Sequence, residues 1–69
     1  MKPDKVRVEN HLSIVLLRPL TKGARKWMED NIAAEPWAWM GGAVACEPRY
    51  VADIVDGMMD EGIEVISGL

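Results

Sequence analysis

Residues 37–46 have the sequence WAWMGGAVAC, in which two glycines separate two short apolar segments. A Gly-Gly pair in this position is typical of a two-residue hairpin, because both central residues of a type I′ turn need a positive φ. The same residues also fit one longer strand with a bulge at Gly41 and Gly42. The hairpin gives the chain one more strand than the bulge does, so the predicted topology depends on these ten residues.

The segment before this stretch predicts a strand followed by a helix. Residues 12–17 are leucine or β-branched except for Ser13, so both alternating faces are apolar, which is typical of a central strand. Pro19 ends that strand, and Thr21 is a suitable helix N-cap. Apolar residues then recur at helical spacing, at Ala24, Trp27, Met28 and Ile32. We therefore predict a first helix over about residues 22–33.

The segment after residue 46 predicts a second helix and a last strand. Pro48 suits the first turn of a helix, where its missing N–H costs nothing. Apolar residues follow at spacings of one and four, at Tyr50, Val51, Ile54, Val55, Met58 and Met59. Gly62 stands where a left-handed residue ends a helix, and residues 63–66 alternate as a short edge strand.

Together these elements predict an α+β fold. With the hairpin, the order is βαββαβ, a minimal ferredoxin-like two-layer α/β sandwich with both helices on one face of a four-stranded antiparallel sheet. Without it, the order is a three-stranded βαβαβ. We favour the first, because short strands suit so short a chain. A two-layer fold leaves one apolar face of the central strand bare, and such surfaces usually mark interfaces, so we predict a homodimer formed through the sheet.

Length and composition narrow the class of protein. The 69 residues make one small domain, which we divide into a flexible basic arm over residues 1–11 and a single α/β domain over residues 12–69. A lone cysteine, Cys46, excludes a disulfide within the chain, and no Cys/His cluster is present to hold a metal. No apolar run approaches the ~20 residues of a membrane span, and the N-terminal residues lack the apolar core of a signal peptide. We expect a cytoplasmic protein with no cofactor and no membrane association.

Charge is distributed unevenly along the chain. Residues 1–26 carry seven Lys or Arg against two acids, a net of +5, whereas residues 27–69 carry one Arg against nine acids, a net of −8. This asymmetry predicts two oppositely charged surfaces, suited to self-complementary association or to a charged partner. The alternative is two solvated surfaces that face away from each other.

Five basic residues form a predicted anion-binding site for a phosphate, a nucleic-acid backbone or an acidic protein. They are Arg18, Lys22, Arg25, Lys26 and Arg49. Cations in the first turns of a helix are unfavourably placed, and a helix N-terminus offers free N–H groups to an anion. If the strands that end near residues 18 and 46 run parallel, Arg49 reaches the same sheet edge as Arg18.

The alternative for these cations is that they are already paired. Arg25 and Lys26 would then pair with Glu29 and Asp30 at i,i+4, and Arg18 and Arg49 with neighbouring carboxylates such as Glu47. The isoelectric point near 4.9 also argues against a dedicated nucleic-acid binder.

A second group is predicted to form an interface. It consists of Trp37, Trp39, Asp53, Asp56 and Asp60. The two tryptophans alternate onto one sheet face, where they serve as core or dimer contacts or stack on nucleic-acid bases. The three acids share one helical face, which would meet either solvent or a basic partner.

No catalytic constellation is visible in the sequence. His11 is the only imidazole, and nothing brings it to Cys46. Gly41-Gly42 lacks the lysine and the spacing of a phosphate loop. We therefore predict a small non-catalytic protein-interaction or regulatory domain, with phosphate or nucleic-acid binding through the five basic residues as the alternative.

Four segments of the chain resemble a known group of proteins. They are residues 14–21 (IVLLRPLT), 24–27 (ARKW), 39–43 (WMGGA) and 47–53 (EPRYVAD). The chain resembles, over about residues 12–66, a family of small uncharacterised proteins of bacteria and their phages. That family has no assigned activity, so the resemblance implies a bacterial or phage source and no functional residues.

Overall fold

A computed structural model of the chain describes residues 3–32 and 38–68. The elements are β1 (Lys5–His11), β2 (Ile14–Pro19), α1 (Lys22–Asn31), β3 (Trp39–Met40), β4 (Ala43–Cys46), α2 (Pro48–Asp60) and β5 (Glu64–Gly68). The predicted α+β class is confirmed. Both helices begin where the N-cap at Thr21 and the proline at Pro48 predict, because capping and the proline ring are local properties.

In the residues that the structure describes, the sheet is mixed and has five strands in the order β3-β4-β2-β1-β5. β1 is antiparallel to β2, β4 is antiparallel to both β2 and β3, and β5 is parallel to β1. The exact ferredoxin-like topology and the three-stranded alternative are therefore both wrong. The difference is β1, which lies between β2 and β5 and adds a fifth strand to the predicted set.

β1 lies within the predicted flexible arm of residues 1–11. Val6 is fully buried and Val8 packs against the core, while Lys5, Arg7 and Glu9 point to the other face. This alternation is typical of a strand with one solvated face. Only Val6 and Val8 carry this period in the sequence, and the charged residues around them predict an arm. The strand over residues 5–11 replaces that predicted arm.

Two tight turns join the antiparallel strands. Leu12, at φ 65°, turns the chain between β1 and β2, and its N–H donates to the Asn10 side chain at 3.0 Å. β2 therefore begins at Ile14 rather than at Leu12. Gly41 and Gly42, at φ 57° and 81°, connect β3 to β4, which confirms the predicted hairpin over the bulge.

Both helices pack on the same face of the sheet. The largest fully buried side chains there are Leu17, Met28, Met58, Val6 and Val44. Of the predicted α2 stripe, Val51, Ile54 and Met58 contact this core, whereas Tyr50 and Met59 are exposed. The opposite face carries no helix in the described residues, and we call it the open face. Its side chains include Arg7, Glu9, Ile14, Leu16, Arg18 and Ile66.

Candidate functional site

The N-terminus of α1 already holds a carboxylate of the chain itself. The Thr21 hydroxyl accepts a hydrogen bond from the Ala24 N–H at 3.2 Å and donates to Asp4 Oδ1 at 2.7 Å. The Asp4 carboxylate lies so close to Gly23 that a β-carbon on that residue would overlap it. Asp4 therefore occupies the position that was predicted for an anionic ligand, where it is favoured by the helix dipole.

Three of the five predicted anion-site residues come together beside this helix end. Arg18, Lys22 and Arg25 line an open hollow together with the turn residues Gly41 and Gly42. Lys22 makes no ion pair with any residue that the structure describes. The other two cations of the hollow already have partners.

Most of the predicted cations are engaged within the chain. Arg18 donates from Nε to Glu9 at 2.9 Å and from Nη1 to the Gly41 carbonyl at 3.0 Å. Arg25 and Lys26 form the i,i+4 pairs with Glu29 (3.2 Å) and Asp30 (3.1 Å). Exposed pairs of this kind contribute little stability, about 0.3–0.5 kcal/mol on a helix, but they do satisfy the charges.

The structure does not bring Arg49 to the other four. β4 runs antiparallel to β2 with Cys46 opposite Val15, so Arg49, in the first turn of α2, lies at the end of the sheet away from Arg18. The expectation of parallel strands was wrong because the β3–β4 hairpin reverses the chain once more after the crossover from β2. Arg49 instead pairs with Glu47 at 2.9 Å.

The described members of the predicted interface, Trp39 and the three acids of α2, lie on separate surfaces. Trp39 is on the helix side of the sheet, where it packs against the core and lies 4.8 Å beneath the Arg25 guanidinium. Trp37 falls outside the described residues. Asp53, Asp56 and Asp60 are exposed on α2, and within the described part of the chain they form no ion pair. Their role in an interface stays a prediction.

The open face contains a pair of like charges that the sequence interpretation missed. Arg7 lies directly opposite Arg18 in the β1–β2 ladder. Glu9, two residues along β1, is bonded to Arg18, and the exposed Arg7 has no ion pair among residues 3–32 and 38–68. The alternation of Val6 and Val8 with charged residues was the signal that places Arg7 on a solvated face.

Glu9 gives this face a pH dependence. The hydrogen bond from Arg18, assisted by His11, lowers the pKa of the Glu9 carboxyl below its ordinary value. A carboxyl whose pKa is lower in the folded than in the unfolded state stabilises the fold above the unfolded pKa, and this contribution is lost as the pH falls.

We therefore expect Glu9→Gln to lose stability at neutral pH and to approach the wild type under acidic conditions. Urea unfolding of both proteins at neutral pH and below the ordinary pKa of a glutamate measures this. A stability difference that does not shrink with acidification would contradict the assignment.

Comparisons of the chain with family models, curated proteins and solved structures find no match. The resemblance to small bacterial and phage proteins therefore stays a prediction. No helix of the described residues is long and apolar enough to cross a membrane. In the same residues, no group of three or more His, Cys, Asp or Glu is placed to hold a metal ion.

Proposed function

We propose that the protein is a non-catalytic interaction module that binds an acidic segment of a protein partner on its open face. The observation that carries this proposal is the position of Arg7, directly opposite Arg18 in the β1–β2 ladder. The carboxylate of Glu9 is bonded to Arg18 and not to Arg7. Like charges directly opposite each other destabilise a sheet. Local conflicts of this kind are expected at functional sites, where a partner relieves them.

The surroundings of Arg7 favour a carboxylate flanked by apolar side chains. Ile66 is opposite Arg7 on β5, and Leu16 lies one step along the neighbouring strand; both are half-buried. Ile14 extends this aliphatic surface and is 44% exposed. Arginine is enriched at interface cores and binds carboxylates with two parallel hydrogen bonds.

The alternative ligand, a phosphate or nucleic acid, has weaker support. Interfaces for single-stranded nucleic acid combine a positively charged groove with aromatic side chains on which the bases stack. The chain has a net charge of −3, and Trp39 lies on the other side of the sheet beneath Arg25. The hollow lined by Arg18, Lys22 and Arg25 is where this alternative would bind.

Amide NMR of the labelled protein tests the proposal with a short peptide of alternating leucine and aspartate. We expect shifts around Arg7, Leu16 and Ile66 that weaken as salt is raised and that disappear in Arg7→Gln. The matched control is Lys26→Gln, which removes the same charge from the surface of α1 and should bind as the wild type does.

Two further probes complete this experiment. A peptide with asparagine in place of aspartate should give no shifts on the open face; equal shifts would contradict a role for the carboxylate. A single-stranded oligonucleotide that shifts residues around Lys22 and Arg25, while the acidic peptide shifts nothing, would overturn the proposal in favour of the nucleic-acid alternative.

The same variant has an expected effect on stability. Because Arg7→Gln removes the like-charge pair with Arg18, we expect it to raise the free energy of unfolding by about 0.2–1 kcal/mol. Lys26→Gln instead breaks an exposed ion pair with Asp30, so it should lower the free energy of unfolding by less than about 0.5 kcal/mol. Urea unfolding measures both, and a less stable Arg7→Gln would show that Arg7 serves the fold.

We also propose that the protein acts in the cytoplasm. Its lone cysteine, Cys46, is partly buried, and burial raises the pKa of this thiol above its ordinary value. A protonated, partly buried thiol suits a structural role in a reducing compartment. The bacterial or phage source implied by the resemblance is part of the same proposal.

A further inference from the structure

We infer that the β5 edge of the sheet is a self-association surface, where a second copy of this chain adds its own β5 in the antiparallel direction. This inference goes beyond the acidic partner proposed above and does not depend on it. It is based on three features on the same side of the molecule: the outward backbone groups of β5, an apolar flank of α2 and Ile66 on the open face.

The backbone of β5 presents a row of outward hydrogen-bonding groups. In the described residues β5 has one neighbouring strand, β1. The Glu64 N–H donates to the Asp4 carbonyl at 2.8 Å, so Glu64 and every second residue after it direct their backbone groups towards β1. The N–H and C=O groups of Val65 and Ser67 therefore point away from the sheet.

The two edges of the sheet differ in protection. β3 is an edge of only two residues, which is too short to template another strand. β5 has five residues and contains no proline or lysine. Proteins usually protect an exposed edge with short strands, prolines or charged side chains. The one charged side chain of β5, that of Glu64, lies at the start of the strand and is paired with Lys5.

If two antiparallel β5 strands are related by a two-fold axis at Ile66, the outward N–H and C=O groups of one strand lie opposite those of the other. Val65 then faces Ser67 of the second copy, and each pair exchanges both N–H and C=O bonds. Ile66 faces its own counterpart as a non-hydrogen-bonded pair, and the two side chains meet on the joined open faces. Glu64 faces Gly68 of the second copy, so no like charges are opposed.

The helix layer supplies a second contact at the same edge. On α2, Gly57 faces α1, since a β-carbon there would lie 3.4 Å from the Trp27 ring. The helix α2 packs on β5. Its flank opposite Gly57 consists of Ala52, Val55 and Met59. This flank carries no charge, and Met59 is 62% exposed.

These features together select a second copy as the occupant. A single peptide strand from another protein would cover the backbone row but would leave the α2 flank exposed. The two-fold axis brings the two α2 flanks together above the joined strands, while the acidic residues of α2 stay on its solvent side. Association would also add stability to a domain whose hydrophobic core is small for a chain that folds alone.

Disulfide trapping tests the predicted register. In a Cys46→Ser background, Ile66→Cys places two thiols across the axis, where the Cα atoms of a non-hydrogen-bonded pair are about 4.5 Å apart, within disulfide range. We expect mild oxidation to give cross-linked dimers. Leu16→Cys, on the same open face but away from the edge, should stay monomeric. Cross-linking of Leu16→Cys and not Ile66→Cys would overturn the inference in favour of a face-to-face dimer.

Molar mass from light scattering tests the α2 flank. The wild type is expected to have the mass of two chains, and Met59→Glu should raise the dimer dissociation constant by about tenfold or more, because it buries an unpaired charge. Tyr50→Glu makes a comparable change on the flank that faces α1 and should remain dimeric. A wild type that is monomeric at millimolar concentration, or a Met59→Glu protein that dimerises normally, would overturn the inference. The Met59→Glu protein is also tested with the acidic peptide. Because Met59 is not on the open face, a monomeric protein that still binds the peptide shows that dimerisation and the proposed function are independent.

Discussion

Leu17→Ala is expected to leave the domain largely unfolded at room temperature. Leu17 is fully buried in β2, between β1 and β4 and beneath both helices. Truncation of a buried leucine to alanine costs about 2–5 kcal/mol. A single core in a chain of this length supplies only about 3–5 kcal/mol, so this one substitution removes most of the stability.

The control is the neighbouring residue on the same strand. Leu16 points to the open face and is half-buried, so Leu16→Ala leaves no enclosed cavity and should cost about 1 kcal/mol. Circular dichroism with urea or thermal unfolding compares the two variants with the wild type. Equal losses from Leu16→Ala and Leu17→Ala would mean that both faces of the sheet are covered in solution.

The two helix glycines are expected to respond in opposite directions to alanine. Gly57→Ala should raise the free energy of unfolding by about 0.5–1 kcal/mol, because alanine is the better helix former and the new β-carbon meets the Trp27 ring at ordinary contact distance. Gly23→Ala gives the same gain in helix propensity, but the new β-carbon would displace the Asp4 carboxylate. This breaks the hydrogen bond that the Thr21 hydroxyl donates to Asp4. A hydrogen bond to a charged group contributes about 1.5–3 kcal/mol, so Gly23→Ala should be destabilising.

A double-mutant cycle isolates the cause of that difference. In an Asp4→Ala background no carboxylate occupies the end of α1, so Gly23→Ala should become stabilising by roughly the amount seen for Gly57→Ala. Urea unfolding of the four proteins measures the coupling between Asp4 and Gly23. Independent effects of the two substitutions would contradict the placement of Asp4 at the helix N-terminus.

Much of the local structure was predictable from the sequence. The starts of α1 and α2 follow from Thr21 and Pro48, and the β3–β4 turn follows from Gly41-Gly42. Each of these depends on a local property of one or two residues: the side-chain cap of Thr21, the fixed φ of Pro48 and the positive φ of the two glycines. The i,i+4 pairs on α1 were also predictable, because helical spacing alone brings Arg25 and Lys26 to their acids.

The candidate site was less predictable than the elements that form it. Arg18 was correctly assigned to the end of a strand beside α1, but its partner, Glu9, comes from a strand that was expected to be an arm. Arg49 was placed at the wrong end of the sheet, because strand direction depends on how many times the whole chain reverses. Arg7 was not singled out at all, since its importance arises only from the residue opposite it.

The division between what local sequence decides and what the tertiary structure decides has one physical origin. Caps, turn glycines and helical spacing act over a few residues, so the two helices and the β3–β4 hairpin are encoded where they occur. The position of β1 between β2 and β5, the meeting of Arg7 with Arg18 and the docking of Asp4 on α1 each join residues distant in sequence. Such contacts form only when burial of the shared core outweighs the entropy of closing the long loops between them, and that balance belongs to the whole chain.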